Sequence, residues 1–360
     1  MSDKLNDLRC KIDQLDKQLL ELISARAKCA SEVGEYKRAN DKDNHQFYRP
    51  EREANVLRKI AEQNLGPLSD EEMARLFREI MSACLALERQ LNIAFLGPEG
   101  TYTEEAALKH FGHSVQTTAI NSIGEVFREV ESGAANYGVV PVENSTEGVI
   151  THTLDNFTCS SLKIVGEVEL RIHHHLLSDL KDMNKIELIY SHQQSLAQCR
   201  KWIDANLPSV KLQAVESNAQ AAMLAKKEST HAAIASRSAS EKYDLNVLAS
   251  NIEDMPNNST RFLIIGSNDI APSGIDKTSL LVSAPNKPGA LHRLLQPFAN
   301  HNVSMTRIES RPSHSANWEY VFFLDLEGHV EDQALKLALD ELRRDSDLVN
   351  VLGSYPKAVL

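Results

Sequence analysis

The sequence predicts a multidomain protein, with an all-α domain over residues 1–91, an α/β domain over 92–268 and a small α+β domain over 277–360. Three observations carry that division. Residues 4–90 place apolar side chains at helical spacing and contain no strand-like run. From Asn92 onward short apolar runs alternate with helical stretches, the texture of an α/β fold. A polar stretch containing Gly and Pro at residues 267–276 then interrupts the chain.

In the first domain Leu5, Leu8, Ile12, Leu15, Leu19 and Leu22 follow at intervals of 3, 4, 3, 4 and 3, the seam of one long packed helix. Pro50, ahead of Glu51, Arg52 and Glu53, suits the first turn of a second helix that runs through Val56, Leu57 and Ile60 and stops at Gly66-Pro67. Ser69 opens a third, Glu72 completes a capping box, and Met73, Leu76, Phe77, Ile80, Met81 and Cys84 form its buried face. A seam this long implies an intertwined dimer. The middle domain offers strands and helices at 93–96, 104–111, 123–130, 137–142, 162–168, 186–190 and 262–265. The last domain reads as a strand at 279–283, a helix opening near Gly289, strands at 305–309 and 320–326 and a helix over 331–344, a β-α-β-β-α order.

With 360 residues, 42% hydrophobic and 25% charged, the chain can fill two or three cores without staples. Cys10, Cys29, Cys84, Cys159 and Cys199 are scattered, form no CxxC and follow no secretory leader, so a reducing cytoplasm is the expected setting. No apolar run approaches the roughly 18–20 residues that cross a bilayer, so no membrane role is expected. A formal net charge of -11 disfavours nucleic acid and leaves small anions, which answer to local Arg and Lys clusters.

Such a cluster lies on the first helix. Continuing its seam from Leu22 reaches Arg26, and Lys37 lies at nearly the same azimuth, so two cations occupy core-facing positions. Either a ligand carrying negative charge or protein carboxylates such as Glu21, Glu32 and Glu35 must answer them. Arg9 is about 25 Å along the helix from Arg26, and only an antiparallel partner brings it to the same site. The set Arg9, Arg26, Lys37, Tyr48-Arg49-Pro50-Glu51-Arg52-Glu53, Arg75-Leu76-Phe77, Cys84 and Glu88 resembles the all-helical chorismate mutase family across residues 4–90. By that resemblance Arg9 of the partner subunit, Arg26 and Lys37 bind the carboxylates and ether oxygen of chorismate. Glu53 binds its ring hydroxyl, Arg52 supports the site and Arg49 contributes mainly backbone. The reaction is a pericyclic rearrangement needing no nucleophile or cofactor; the protein holds the reactive conformer and stabilises charge on the ether oxygen. Glu88 stands where some members have glutamine and donates only when protonated, so mutase activity is expected to rise as pH falls. Cys84 stands where serine occurs in some members, as a weak hydrogen-bonding partner or a small core residue.

Residues 93–103 combine a strand, a glycine-containing turn and hydroxyls opening a helix, an arrangement suited to an anion. The turn is not GxGxxG, which argues against a nicotinamide-dependent dehydrogenase. Val139-Val-Pro-Val-Glu-Asn-Ser-Thr-Glu-Gly148 sets polar groups directly after a buried strand, either as a binding loop or as a capped turn. Together with Tyr190-Ser191-His192, Gln198 and Asn258-Ser259-Thr260-Arg261-Phe262, these motifs resemble prephenate dehydratase across residues 93–268. That family has two α/β lobes with the substrate cleft between them. The resemblance implies Thr260 as the catalytic donor to the departing hydroxyl, with Glu143, Asn144, Ser145, Ser191, Gln198, Arg261 and Phe262 as binding residues; Arg261 either pairs with a carboxylate or braces the cleft. His173-His174-His175 invites a metal reading, but no acidic or cysteine partner has ligand-like spacing, and no metal or other cofactor is expected.

Asn286-Lys-Pro-Gly-Ala-Leu291 and Glu309-Ser-Arg-Pro312 resemble the paired motifs of the amino-acid-binding ACT domain of phenylalanine-regulated dehydratases. The resemblance implies L-phenylalanine as effector, with Gly289, Ala290 and Leu291 shaping one part of its site and Glu309, Ser310, Arg311 and Pro312 the other. The expected partners are therefore chorismate, prephenate, L-phenylalanine and a second copy of the chain. Two alternatives stand beside this: a dehydratase whose N-terminal helices serve only as a dimerisation arm, and a non-catalytic phenylalanine sensor.

Overall fold

The computed structural model describes residues 2–40, 47–283, 287–312 and 320–359. It forms two compact units, the N-terminal helices with residues 111–116 and the remainder of the chain.

The helical unit contains α1 (Ser2–Asn40), α2 (Pro50–Gln63) and α3 (Asp70–Glu88). Pro50 begins α2, where its missing N–H costs nothing. Ser69 caps α3 by accepting from Glu72 N at 3.2 Å. The reciprocal half of the expected capping box is replaced, because the Glu72 carboxylate takes Arg75 Nη2 at 2.8 Å. α3 runs beside the C-terminal part of α1, where Gly34 permits close approach: a Cβ there would come within 3.1 Å of Glu88 Cα. The rest of α1 departs from the sequence expectation. At 39 residues it is about 58 Å long, and within one chain α2 and α3 are too short to cover it. Its seam is therefore exposed, with Leu5 at 50%, Ile12 at 55% and Leu22 at 68%. Arg26 is exposed with it, so it does not face a core within one chain.

The second unit begins with β1 (Asn92–Leu96), α4 (Tyr102–Phe111), β2 (Gln116–Ile120), α5 (Ile123–Glu131), β3 (Tyr137–Asn144), β4 (Gly148–Val149), α6 (Thr151–Phe157) and β5 (Lys163–Arg171). The chain then enters a second lobe of β6 (His175–Ser178), β7 (Leu188–His192), α7 (Gln193–Gln198), α8 (Arg200–Asn206), β8 (Lys211–Val215), α9 (Asn218–Lys227), β9 (His231–Ala235), α10 (Arg237–Tyr243) and β10 (Asn246–Ala249). It returns as β11 (Ser259–Gly266), which lies antiparallel between β3 and β5. The first sheet is ordered β2-β1-β3-β11-β5 with β4 beside β3, and the second β10-β6-β9-β7-β8. Residues 137–142 of β3 are all buried, which is why that strand reads as a continuous apolar run rather than an alternation. The two crossings between lobes run side by side: Ile172 N donates to Asn258 O at 2.8 Å and Ile252 N to His174 O at 2.9 Å.

The C-terminal domain comprises β12 (Asp276–Ser283), α11 (Ala290–Asn300), β13 (Met305–Pro312), β14 (Tyr320–Glu327), α12 (Gln333–Asp345) and β15 (Leu348–Pro356), with sheet order β13-β14-β12-β15. Leu294, Phe298, Leu335, Leu339 and Leu342 of the helices pack on Leu280, Val282, Leu324 and Leu326 of the sheet. β15 is absent from the sequence expectation because Asn350, Gly353 and Pro356 interrupt its apolar run; residues 276–283 of β12 nonetheless all pair with it antiparallel, with a register shift between Ser279 and Leu280. The other sheet face joins the first lobe, since Leu281, Val321, Phe323, Leu352 and Tyr355 share one core with Val142, Leu154, Phe157, Ile164 and Leu263. Gly353 allows this join, because a Cβ there would overlap the backbone of Ile164.

Candidate active sites

Where β11 enters the sheet, the crossings and the loop after β3 assemble a polar cluster around Thr260. Asn144 Nδ2 donates to Thr260 Oγ1 at 2.7 Å and to Asn258 Oδ1 at 3.0 Å. The Asn144 Oδ1 atom accepts from Thr146 N at 3.0 Å, Thr146 Oγ1 at 2.7 Å and Glu147 N at 3.1 Å. This is the turn chemistry that Asn-Ser-Thr-Glu-Gly after a strand provides, a side chain standing in for a backbone acceptor. Gln198, at the end of α7, reaches from the second lobe: its Nε2 donates to Thr146 Oγ1 at 2.9 Å and Glu147 Oε1 at 3.3 Å, and its Oε1 accepts from Asn258 Nδ2 at 3.1 Å. His174 Nε2 lies 2.9 Å from the same Oε1, and Tyr102 Oη lies 3.1 Å from His174 Nδ1. Glu253 accepts from His174 N at 2.9 Å and pairs with His173 Nδ1 at 2.8 Å.

The electrostatics follow burial. His174 is 1% exposed, and burial holds its imidazole below the ordinary histidine range against the hydrogen bond to Gln198. Burial pushes the Tyr102 phenol well above its ordinary value, with Glu105 adding to it. Burial alone would raise Glu253, but the His174 amide and the His173 ring outweigh it and hold the carboxyl low. Among the described residues no group of His, Cys, Asp and Glu side chains has metal-binding geometry.

In the helical unit Lys37 Nζ donates to Glu88 Oε2 at 3.0 Å and sits 5.3 Å from the Phe47 ring centroid. Glu88 thus accepts from Lys37 through its side chain, and its backbone oxygen accepts from Arg38 at 2.7 Å. Burial pushes the Glu53 carboxyl up, to about 7, opposed by Arg78 at 3.7 Å. Cys84 is buried, and with Ile23, Ala27, Ile80, Ala83 and Leu87 it lines an apolar groove between α1 and α3. Arg49 ends its side chain on Glu51 at 2.7 Å, and its carbonyl accepts from Arg52 N and Glu53 N, so its backbone holds the start of α2. Arg9 and Arg52 are exposed.

Comparisons with known proteins identify all three segments of the chain. Residues 8–89 match the family model for chorismate mutase type II, 93–270 that for prephenate dehydratase and 278–344 that for the ACT domain. A bifunctional chorismate mutase/prephenate dehydratase of Stutzerimonas stutzeri is 58% identical over 100% of this chain and 99% of its own length. The chain belongs to the bifunctional chorismate mutase/prephenate dehydratase family. A prephenate dehydratase from Arthrobacter aurescens, solved with L-Phe, is 34% identical with a TM-score of 0.69, covering 74% of this chain and 90% of that one. GqqA, described as a novel type of quorum quenching acylase, is 30% identical with a TM-score of 0.69, covering 74% of this chain and 98% of its own.

Several sequence-predicted residues of the dehydratase domain lie away from Thr260. Ser191 is fully buried and donates to Ile234 O at 2.8 Å and Asn218 Oδ1 at 2.9 Å inside the second lobe. Phe262 is 2% exposed, within the core. Ser145 Oγ accepts from Ser259 N at 2.9 Å and so fastens the loop after β3 to β11. Glu143 pairs with Arg307 of the ACT domain at 3.0 Å. Arg261 braces rather than faces the cleft: it meets Glu167 at 2.8 Å, Asp325 at 2.5 Å and Tyr355 Oη at 3.0 Å, while Lys277 closes the group on Glu167 at 2.8 Å. Burial would raise Asp325, yet Arg261 and Ser279 hold its carboxyl below the ordinary range.

In the ACT domain Gly289 adopts φ 77, a left-handed conformation that glycine takes without cost, and caps α11 ahead of Ala290. Asn286 lies outside the described residues, and Leu291 is exposed. Glu309, Ser310, Arg311 and Pro312 end β13. Arg311 grips Asp155 of α6 at 2.8 and 2.9 Å, so this member of the expected effector motif holds the dehydratase domain. Tyr102, Glu147, His174, Glu253 and Asn258 join the cluster in the structure without a site role in the sequence expectation. The His173–His175 triplet and the position of Asn258 two before Thr260 were the available signals.

Proposed function

We propose that the helical domain converts chorismate to prephenate and that the two-lobed domain converts prephenate to phenylpyruvate with loss of carbon dioxide and water, serving L-phenylalanine synthesis. The observation that carries the second step is the 2.7 Å bond from Asn144 Nδ2 to Thr260 Oγ1. Because Asn144 occupies an acceptor position of that hydroxyl, the Thr260 proton is directed elsewhere, toward substrate. The ring carboxylate leaves as carbon dioxide, its bonding pair completes the aromatic ring, and the expelled hydroxide is stabilised by the Thr260 proton. Asn144 bonds this hydroxyl and Gln198 reaches it through Asn258, while Ser145, Glu143, Arg261 and Phe262 support the strands that present it.

In the mutase, Lys37 and Arg26 with Arg9 of a second copy bind the dianion, and Glu53 takes its ring hydroxyl. The exposed seam of α1 supports a homodimer in which a second α1 covers it. L-phenylalanine at the ACT motifs restrains the enzyme by binding a less active arrangement more tightly. Five free cysteines support a cytoplasmic setting, and no described helix is long and apolar enough to cross a membrane.

The test is phenylpyruvate formation from prephenate by the full chain and by Thr260→Ala, each with and without L-phenylalanine. Loss in the variant and suppression by L-phenylalanine support the reading; an active Thr260→Ala protein overturns the site.

A further inference from the structure

The hydrogen bonds around Thr260 admit one set of donor directions, and following them outward ends on a residue that substrate need not touch. Asn144 is oriented by two backbone N–H groups, those of Thr146 and Glu147, which can only donate to its Oδ1. Its Nδ2 therefore faces Thr260 and Asn258. Asn258 must then present Oδ1 to Asn144 and Nδ2 to Gln198. Gln198 is oriented independently, since Thr146 Oγ1 has given its proton to Asn144 and Glu147 is a carboxylate, and both accept from Nε2. Its Oε1 is left facing His174 Nε2 at 2.9 Å, so that nitrogen carries the hydrogen.

We infer that His174 is a positioning residue of the dehydratase, acting as a neutral Nε2–H tautomer that donates to Gln198 Oε1 and so holds Gln198 and Asn258 in the orientation that leaves Thr260 a donor. Tyr102 Oη lies 2.8 Å from His173 O and 3.1 Å from the unprotonated Nδ1, and shares its one proton between these two acceptors. The ring is 1% exposed, so it acts through Gln198 and not on substrate. Gln198 comes from the second lobe and Asn144 from the first, which places the His174 bond among those that hold the lobes in register across the cleft.

This rests on the assignment of Thr260, and the experiment separates the two. His174→Phe keeps the ring volume and removes the donor; His174→Gln keeps an amide donor within reach. Dehydratase kcat is expected to fall about tenfold or more in His174→Phe, with a smaller change in KM, and to recover largely in His174→Gln. Mutase turnover of the same chains should be unchanged. Independently, nitrogen NMR of the wild-type protein at neutral pH should show His174 with a protonated Nε2 and a bare Nδ1. An Nδ1–H tautomer or a doubly protonated ring overturns the proposal even where His174→Phe fails to fold. Wild-type kcat in His174→Phe, beside an inactive Thr260→Ala, overturns it alone; an active Thr260→Ala overturns the site assignment.

Discussion

Thr260 and Arg261 are adjacent on β11 and serve opposite sides of it: the Thr260 hydroxyl accepts from Asn144 at 2.7 Å, and the Arg261 guanidinium reaches Asp325 of the ACT sheet at 2.5 Å. Alternation along a strand produces that divergence. One peptide unit therefore separates the proposed catalytic hydroxyl from the junction with the regulatory domain.

Replacing Arg261 by Met leaves the buried carboxylate of Asp325 without its cation and Glu167 with only Lys277. Unfolding free energy measured by denaturant titration should drop by about 3–5 kcal/mol. Adding Asp325→Asn should recover part of that loss in a double-mutant cycle.

Acid should act through the same junction. The folded pKa of Asp325 lies below its unfolded value near 3.8, so its stabilisation is present above that pH and is lost as pH falls through the lower folded value. On acidification below pH 4, wild type should lose stability faster than Asp325→Asn in thermal melts.

The mutase domain should respond in the opposite sense. Glu53, raised from 4.5 to about 7, contributes stability fully below the lower value and loses it as pH climbs through the upper one. Glu53→Gln should therefore gain on wild type between pH 5 and 8, by on the order of 3 kcal/mol at most.

If a second α1 covers the seam, charge placed on it should separate the copies. Ile12→Glu with Leu19→Glu should yield a smaller species in sedimentation and lose most mutase turnover, because Arg9 is then withdrawn from the neighbouring site. A dimer that survives both substitutions would count against the shared mutase site.

The Arg311–Asp155 pair ties the proposed effector motif to α6. Asp155→Asn should raise the L-phenylalanine concentration needed for half-inhibition several-fold while leaving uninhibited turnover near wild type. Unaltered inhibition would remove this pair from the coupling route.

Much of this architecture was legible in the chain because period and turn chemistry are local. The 3-and-4 spacing from Leu5 to Leu22 gave α1, Ser69 its cap partner, and the Asn-Ser-Thr-Glu loop the Asn144 cluster. What failed to read depended on distant packing. The seam carries no mark of whether its own chain or another covers it. Arg261 looks the same in sequence whether it meets a substrate carboxylate or Asp325, 64 positions away. β15 is not legible in sequence because its stability comes from pairing with β12, not from its own interrupted pattern. The His173–His175 run does not name its partners: Glu253, Gln198 and Tyr102, each distant along the chain, lie within hydrogen-bond reach of the His173 and His174 rings.

The placement of β11 also governs the order in which the enzyme can be made. Its neighbours β3 and β5 emerge from the ribosome before the whole second lobe, and the strand that joins them emerges only after it. A nascent chain stalled short of residue 259 would carry a split sheet with two open strand edges and no Thr260 between them, a state exposed to faulty pairing with other chains. Completing the second lobe early is then a matter of safety during synthesis, because the return strand both closes those edges and delivers the hydroxyl.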